Sequence, residues 1–199
     1  MRIDGLNVLC LAGVTALAGA SAACGDFIRQ DRSPVTLVID RLEAASGASG
    51  AAGTFSGTLQ SDVLTNGGII SDSGRVTMRL IMKDVGTAPS PVNGVTINRY
   101  RVTFRRADGR NTPGVDVPFP FDSAATFTVP PGGNAIHTFE LIRHVAKLEA
   151  PLAALAQSIG LIYSTIADVT FFGRDQTGNE LSATASIGVQ FGNFADPEN

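Results

Sequence analysis

The 199-residue chain carries 15 Lys and Arg against 18 Asp and Glu, a formal net charge of −3. That mildly acidic balance argues against a nucleic-acid protein. Frequent Gly and Pro, scarce Lys (Lys83 and Lys147), and plentiful Thr, Val, Ile and Phe suit short strands joined by turns, the composition of a β-sandwich or barrel.

The first element is Val8–Cys24, VLCLAGVTALAGASAAC, which follows Arg2 and Asp4 and bears no charge. As a helix, residues 8–23 span about 24 Å at roughly 1.5 Å per residue, short of the ~30 Å of a bilayer core. A basic start, an apolar middle and a small-residue exit read as an export signal over residues 1–23. The exit Ser21-Ala22-Ala23-Cys24 resembles the lipobox of bacterial lipoproteins. Ala22, Ala23 and Cys24 match that pattern; Ser21 stands where the family usually carries Leu. The resemblance implies cleavage before Cys24, lipidation of Cys24 and, with Gly25 next, an outer-membrane address. The alternative is plain secretion, with Ala20-Ser21-Ala22 as an A-x-A cleavage site. Cys10 departs with the signal, so Cys24 has no disulfide partner in the mature chain. A lone exported thiol calls for an explanation, and acylation supplies one.

Residues 24–33 form a charged tether, and order begins at Pro34. Val35–Ile39, extended towards Glu43, is a strand, because β-branched crowding disfavours a helix there. Ala44–Gly53, AASGASGAAG, is a loop, and Thr54–Val63 is a weakly alternating strand. Asn66-Gly67-Gly68 and Asp72-Ser73-Gly74 are turn signals. Over Arg75–Lys83, Val76, Met78, Leu80 and Met82 face inward while charged and polar residues face out. Asn98–Arg106 repeats the pattern, with Tyr100, Val102 and Phe104 inward and Arg99, Arg101 and Arg105 outward.

Gly109–Ala124 is proline-rich. Pro118 and Pro120 lack the N–H that a central ladder needs, so this is an edge or crossover segment. Ala125–Val129 and Ala135–Arg143 are strands around the turn Pro130–Gly133. Leu148, Leu152, Leu155 and Ile159 recur at helical spacing and predict one helix near residues 149–158, with Pro151 in its first turn. Tyr163–Phe172 and Leu181–Phe191 form a hairpin, and residues 195–199 are a frayed acidic tail.

About eight strands and no strand–helix repeats predict one all-β domain over residues 34–194, a single antiparallel β-sandwich. Its strand count and spacing resemble immunoglobulin-like or fibronectin type III-like sandwiches of bacterial surface lipoproteins, without a Cys…Trp…Cys signature.

Chemistry is sparse. His137 and His144 with Met78 and Met82 offer copper-type ligands, but Met78, Met82 and His137 align with apolar strand faces and read as core. Asp175, Asn179 and Glu180 are weak calcium candidates, of residue types that turns also favour. No G-x-S-x-G elbow or paired-carboxylate pattern marks an enzyme, and no cofactor is expected. Two surfaces are candidates for partner binding. One is the outward stripe Arg99, Arg101 and Arg105, continued by Arg106 and Arg110, suited to an anionic glycan or an acidic protein. Its plainer reading is a solvated face paired with acids on neighbouring strands. The other surface is Val115–Phe121, which carries Phe119 and Phe121. The leading expectation is a non-enzymatic, lipid-tethered envelope protein that binds a partner or supports an envelope structure. The alternatives are a soluble secreted or periplasmic carbohydrate-binding or adhesion module, and a hydrolase with its site in the loops.

Overall fold

The structure, a computed structural model, describes residues 32–49 and 53–194. Cys24, the signal segment, most of the tether and the acidic tail lie outside the described residues.

Eight strands run in chain order: β1 Val35–Ala45, β2 Thr58–Asp62, β3 Asp72–Met82, β4 Val95–Arg105, β5 Phe121–Val129, β6 Asn134–Ile142, β7 Tyr163–Asp175 and β8 Glu180–Gly192. They form a three-stranded sheet ordered β1-β3-β6 and a five-stranded sheet ordered β2-β8-β7-β4-β5. The inward residues of both sheets share one apolar core, in which Val76, Met78, Tyr100, Val102, Phe171 and Phe191 are fully buried. The all-β class expected from the alternation is therefore observed.

One pairing departs from a wholly antiparallel arrangement. β2 lies parallel to β8, with Thr58 opposite Gly188 and Asp62 opposite Gly192. β2 crosses from the first sheet to the second and lies beside the last strand, whose direction it shares. The proline-rich segment does lead into an edge strand, since β5 ends the five-stranded sheet.

Two bulges explain where the apolar parity changes. In β1 the inward set passes from Val35, Leu37 and Ile39 to Leu42 and Ala44, across a register shift between Ile39 and Arg41. In β4 it passes from Val95 and Ile97 to Tyr100, Val102 and Phe104, across a shift between Ile97 and Arg99. An extra residue turns every later side chain to the opposite face, so an apolar pattern that changes parity needs a bulge to keep its core.

The single helix expected at residues 149–158 is replaced by two shorter pieces. An α-helix, α1, covers His144–Leu148, and a 3-10 turn covers Leu152–Gln157. Pro151 lacks an N–H and constrains Ala150, so the chain breaks between them. Leu152 and Leu155 enter the core, whereas Leu148 and Ile159 are exposed. Asp72-Ser73-Gly74 also differs from its turn reading, because all three residues belong to β3. Gly74 is required there by close packing: a Cβ would lie 2.5 Å from Cζ of Phe139. Ala44 and Ala45, read as loop, instead close β1 and are buried. Asn66 and Gly67 do form a turn, both with positive φ, between the paired Thr65 and Gly68.

Candidate functional site

Every second residue of β4 faces out from the five-stranded sheet, which places Arg99, Arg101 and Arg105 in one exposed row. Strand register then sets their neighbours. Asp122 on β5 stands opposite Arg101 and pairs with it at 2.7 Å and with Arg99 at 2.9 Å. Asp168 on β7 pairs with Arg105 at 2.7 Å and accepts a hydrogen bond from Ser186. Beyond the strand end, Asp108 is shared by Arg106 at 2.7 Å and Arg110 at 3.0 Å. The Arg99 guanidinium also stacks 3.8 Å from the ring centre of Phe172, and that of Arg106 4.7 Å from Tyr163.

These contacts fix the arginines without neutralising the face, because five arginines share three aspartates. The Arg101 hydrogen bond holds the Asp122 carboxyl below its ordinary range, and the Arg106 hydrogen bond does the same, more strongly, for Asp108. Asp122 and Asp108 thus stay charged at any physiological pH. The face can present spare guanidinium donors to a carboxylate or phosphate, in positions set by the sheet.

The Val115–Phe121 segment divides. Phe119 is exposed, together with Val115. Phe121 opens β5 and is buried, edge-on to Tyr100 at 6.2 Å and beneath the Arg143 guanidinium at 4.4 Å. Of the two rings, only Phe119 is available to a partner.

At the last hairpin, Asp175 and Asn179 do come together, but as acceptor and donor. Asp175 Oδ1 accepts from the N–H and hydroxyl of Thr177 and from the Asn179 N–H, and Oδ2 accepts from the Asn179 amide. Burial alone pushes the Asp175 carboxyl up; the hydrogen bonds from Asn179, Thr177 and Ser33 outweigh it and bring it down to about 2. Glu180 pairs away from this group, with Arg174 at 2.7 Å. The hairpin is closed by its own hydrogen bonds, and Asp175 has its oxygens occupied by protein donors.

Among the described residues no three His, Cys, Asp or Glu side chains converge on a metal-sized site. Met78 is buried and Met82 packs at the core edge. His137 stacks on Phe127 at 4.3 Å, and its desolvation lowers its affinity for a proton. His144 is exposed on α1.

A second constellation escapes the linear pattern. The Lys147 ammonium lies 2.9 Å from Asp72 Oδ2, with side chains 1% and 0% exposed. Lys147 Nζ also donates to the carbonyls of Asp62 at 2.8 Å and Ile70 at 2.6 Å. Asp72 Oδ2 accepts from the Ser61 hydroxyl at 2.6 Å, and Oδ1 from the Gly47 N–H at 2.9 Å. Asp62, also buried, accepts from Thr65 at 2.7 Å and from the Phe194 N–H at 3.2 Å. Five segments thus converge on one polar knot where β2 ends, β3 starts and α1 follows β6. A signal was present. Alternation through Val76 and Met78 extends back to place Gly74 and Asp72 on the same inward face.

The chain matches no family profile and no curated protein. A solved structure, the X-ray structure of Northeast Structural Genomics Consortium target SoR45, aligns over 83% of this chain and 93% of its own. It shares 10% sequence identity, with a TM-score of 0.37. No helix among the described residues is long and apolar enough to cross a membrane.

Proposed function

We propose that this chain is a non-enzymatic cell-envelope lipoprotein: an immunoglobulin-like β-sandwich held at the outer membrane by lipid on Cys24. The observation that carries the reading is Ala22-Ala23-Cys24 at the end of an uncharged apolar run, with Cys24 the one cysteine left after cleavage. A β domain follows directly after a short charged tether, as a lipid-tethered module requires. Two acyl chains hold a protein to a membrane where one does not, at about 0.8 kcal/mol per buried CH₂.

Strand order supports the immunoglobulin-like part. Strands 1, 3 and 6 make one sheet and 2, 8, 7, 4 and 5 the other, with the split-off β2 running parallel beside the last strand. In place of the disulfide and Trp of antibody domains, Tyr100, Phe139 and Phe171 form the centre, with ring separations of 4.9–5.9 Å. The recognition surface is the arginine row of β4 together with Phe119, and the partner is an acidic protein or an anionic glycan.

Membrane fractionation of wild type against Cys24→Ser tests the tether. The wild-type chain should pellet with membranes and the variant should be soluble. Equal partitioning of the two would leave the soluble secreted or periplasmic module as the reading. Mass spectrometry of the mature N-terminus reads both the cut and the lipid.

A further inference from the structure

We propose that Lys147 and Asp72 join covalently, as an intramolecular amide bond between Nζ and Cγ that closes one end of the domain. The arrangement is a nucleophile, an electrophile and two hydrogen-bond donors in contact, with the side chains of Lys147, Asp72 and Ser61 buried.

The pair is 2.9 Å apart, and neither side chain is exposed beyond 1%. Two of the three Lys147 N–H bonds are fixed on backbone carbonyls, Asp62 O at 2.8 Å and Ile70 O at 2.6 Å. The third points at Asp72 Oδ2. The step begins when that proton crosses to Oδ2 and leaves the amine free to react. The lone pair that it leaves behind faces Oδ2, and a small shift of the lysine end brings it onto the adjacent Cγ. Asp72 is prepared for attack in the same way. The Gly47 N–H at 2.9 Å from Oδ1 stabilises the negative charge that develops on that oxygen as Cγ becomes tetrahedral. The Ser61 hydroxyl, 2.6 Å from Oδ2, assists the departure of that oxygen.

The step balances without a co-reactant. Nζ bonds to Cγ, and the Cγ–Oδ2 bond breaks. Oδ2 leaves as water, carrying the proton it received first and a second one from Nζ. One hydrogen remains on the amide nitrogen and keeps one of its two carbonyl acceptors, while Oδ1 keeps the Gly47 N–H. No oxidant or reductant is involved. Groups held in contact on a packed frame react with effective molarities on the order of 10⁵–10⁸ M, and a site closed to water disfavours the reverse hydrolysis. The arginine–carboxylate pairs on the sheet faces lack these features, since a guanidinium is a poor nucleophile and at least one partner in each is open to solvent.

The test is peptide mapping of the purified full chain by mass spectrometry after denaturation and trypsin digestion. The expected result is one branched species joining the Asp72 and Lys147 peptides, lighter than their sum by one water, with no cleavage after Lys147. Linear peptides ending at Lys147, with the Asp72 peptide at full mass, would overturn the bond and leave a buried ion pair. Lys147→Arg keeps the charge and removes the amine, so it should yield only linear peptides at these positions. A branched species persisting in that variant would equally sink the assignment. The wild-type map decides the question even if the variant fails to fold.

Discussion

Before any bond forms between them, Lys147 brings three N–H donors to three acceptors, and Asp72 brings two oxygens to a backbone N–H, a hydroxyl and an ammonium. Removing either partner leaves the other's polar group buried without a match, which costs about 3–5 kcal/mol. Asp72→Ala removes these contacts and with them the proposed amide, and is therefore expected to lower the unfolding free energy by at least that amount, read from the denaturant midpoint. A loss under about 1 kcal/mol would mean that the knot is wetter or looser than its geometry indicates. Gly74, two residues on, tests close packing instead of charge. Its missing Cβ admits the Phe139 ring, which meets Tyr100 at 4.9 Å and Phe171 at 5.2 Å. Gly74→Ala must displace that ring, at an expected cost of about 1–3 kcal/mol by the same measurement. Both residues were hard to find from sequence for one reason. Asp, Ser and Gly together are the usual composition of a turn, and only the alternation of Val76 and Met78 reveals that this triplet continues a strand.

At the level of elements, Pro151 decides between two readings of the same apolar spacing. A continuous helix would bury Leu148, Leu152, Leu155 and Ile159 alike, but the break leaves Leu152 and Leu155 inside and Ile159 89% exposed. Leu152→Ala should cost about 2–5 kcal/mol, whereas Ile159→Ser should stay within about 0.5 kcal/mol of wild type. Similar losses for the two would restore the single helix. The β7–β8 hairpin makes a prediction about pH. Its Asp175 carboxyl, held down to about 2 from an ordinary 3.8, binds its proton less readily folded than unfolded. That contribution to stability is complete above the unfolded value and is lost as pH falls through the folded one. Acid unfolding should thus steepen between about pH 4 and pH 2, and Asp175→Asn should flatten that part of the stability curve. The strands themselves were legible because alternation reports a half-buried sheet directly. What alternation leaves open is pairing: the parallel contact of β2 with β8 could not be read from the linear chain, and although acids on neighbouring strands were expected opposite the arginines, as Asp122 and Asp168 are, the register that selects them was not legible.

Across the whole molecule, strand direction separates two ends. Ser33, at the start of the described chain, bonds to Asp175 at the tip of the β7–β8 hairpin, so the tether enters there. The opposite end gathers the Asp72–Lys147 knot, the finish of β4 at Arg105, and the exposed Phe119 and Val115. Arg106 and Arg110 extend the basic row towards that same end and share one aspartate. The chain as a whole is acidic, with a formal charge of −3, yet positive charge is in excess along this face. Local and net charge therefore predict opposite behaviour on an anionic surface. Net charge alone predicts exclusion; a fixed arginine row predicts retention that salt reverses, since exposed charges more than about 10 Å apart are screened at 0.1 M ionic strength. The purified domain should bind an immobilised sulfated polysaccharide at low salt and elute as salt rises. Arg99→Gln with Arg101→Gln should elute earlier, because it removes two positive charges and releases Asp122 as an unpaired negative one on the same face. Thermal unfolding should change little, as exposed ion pairs contribute about 0–1 kcal/mol each. Flow-through of the wild-type domain at low salt, or unchanged elution of the variant, would leave the row as a paired sheet face with no role in recognition.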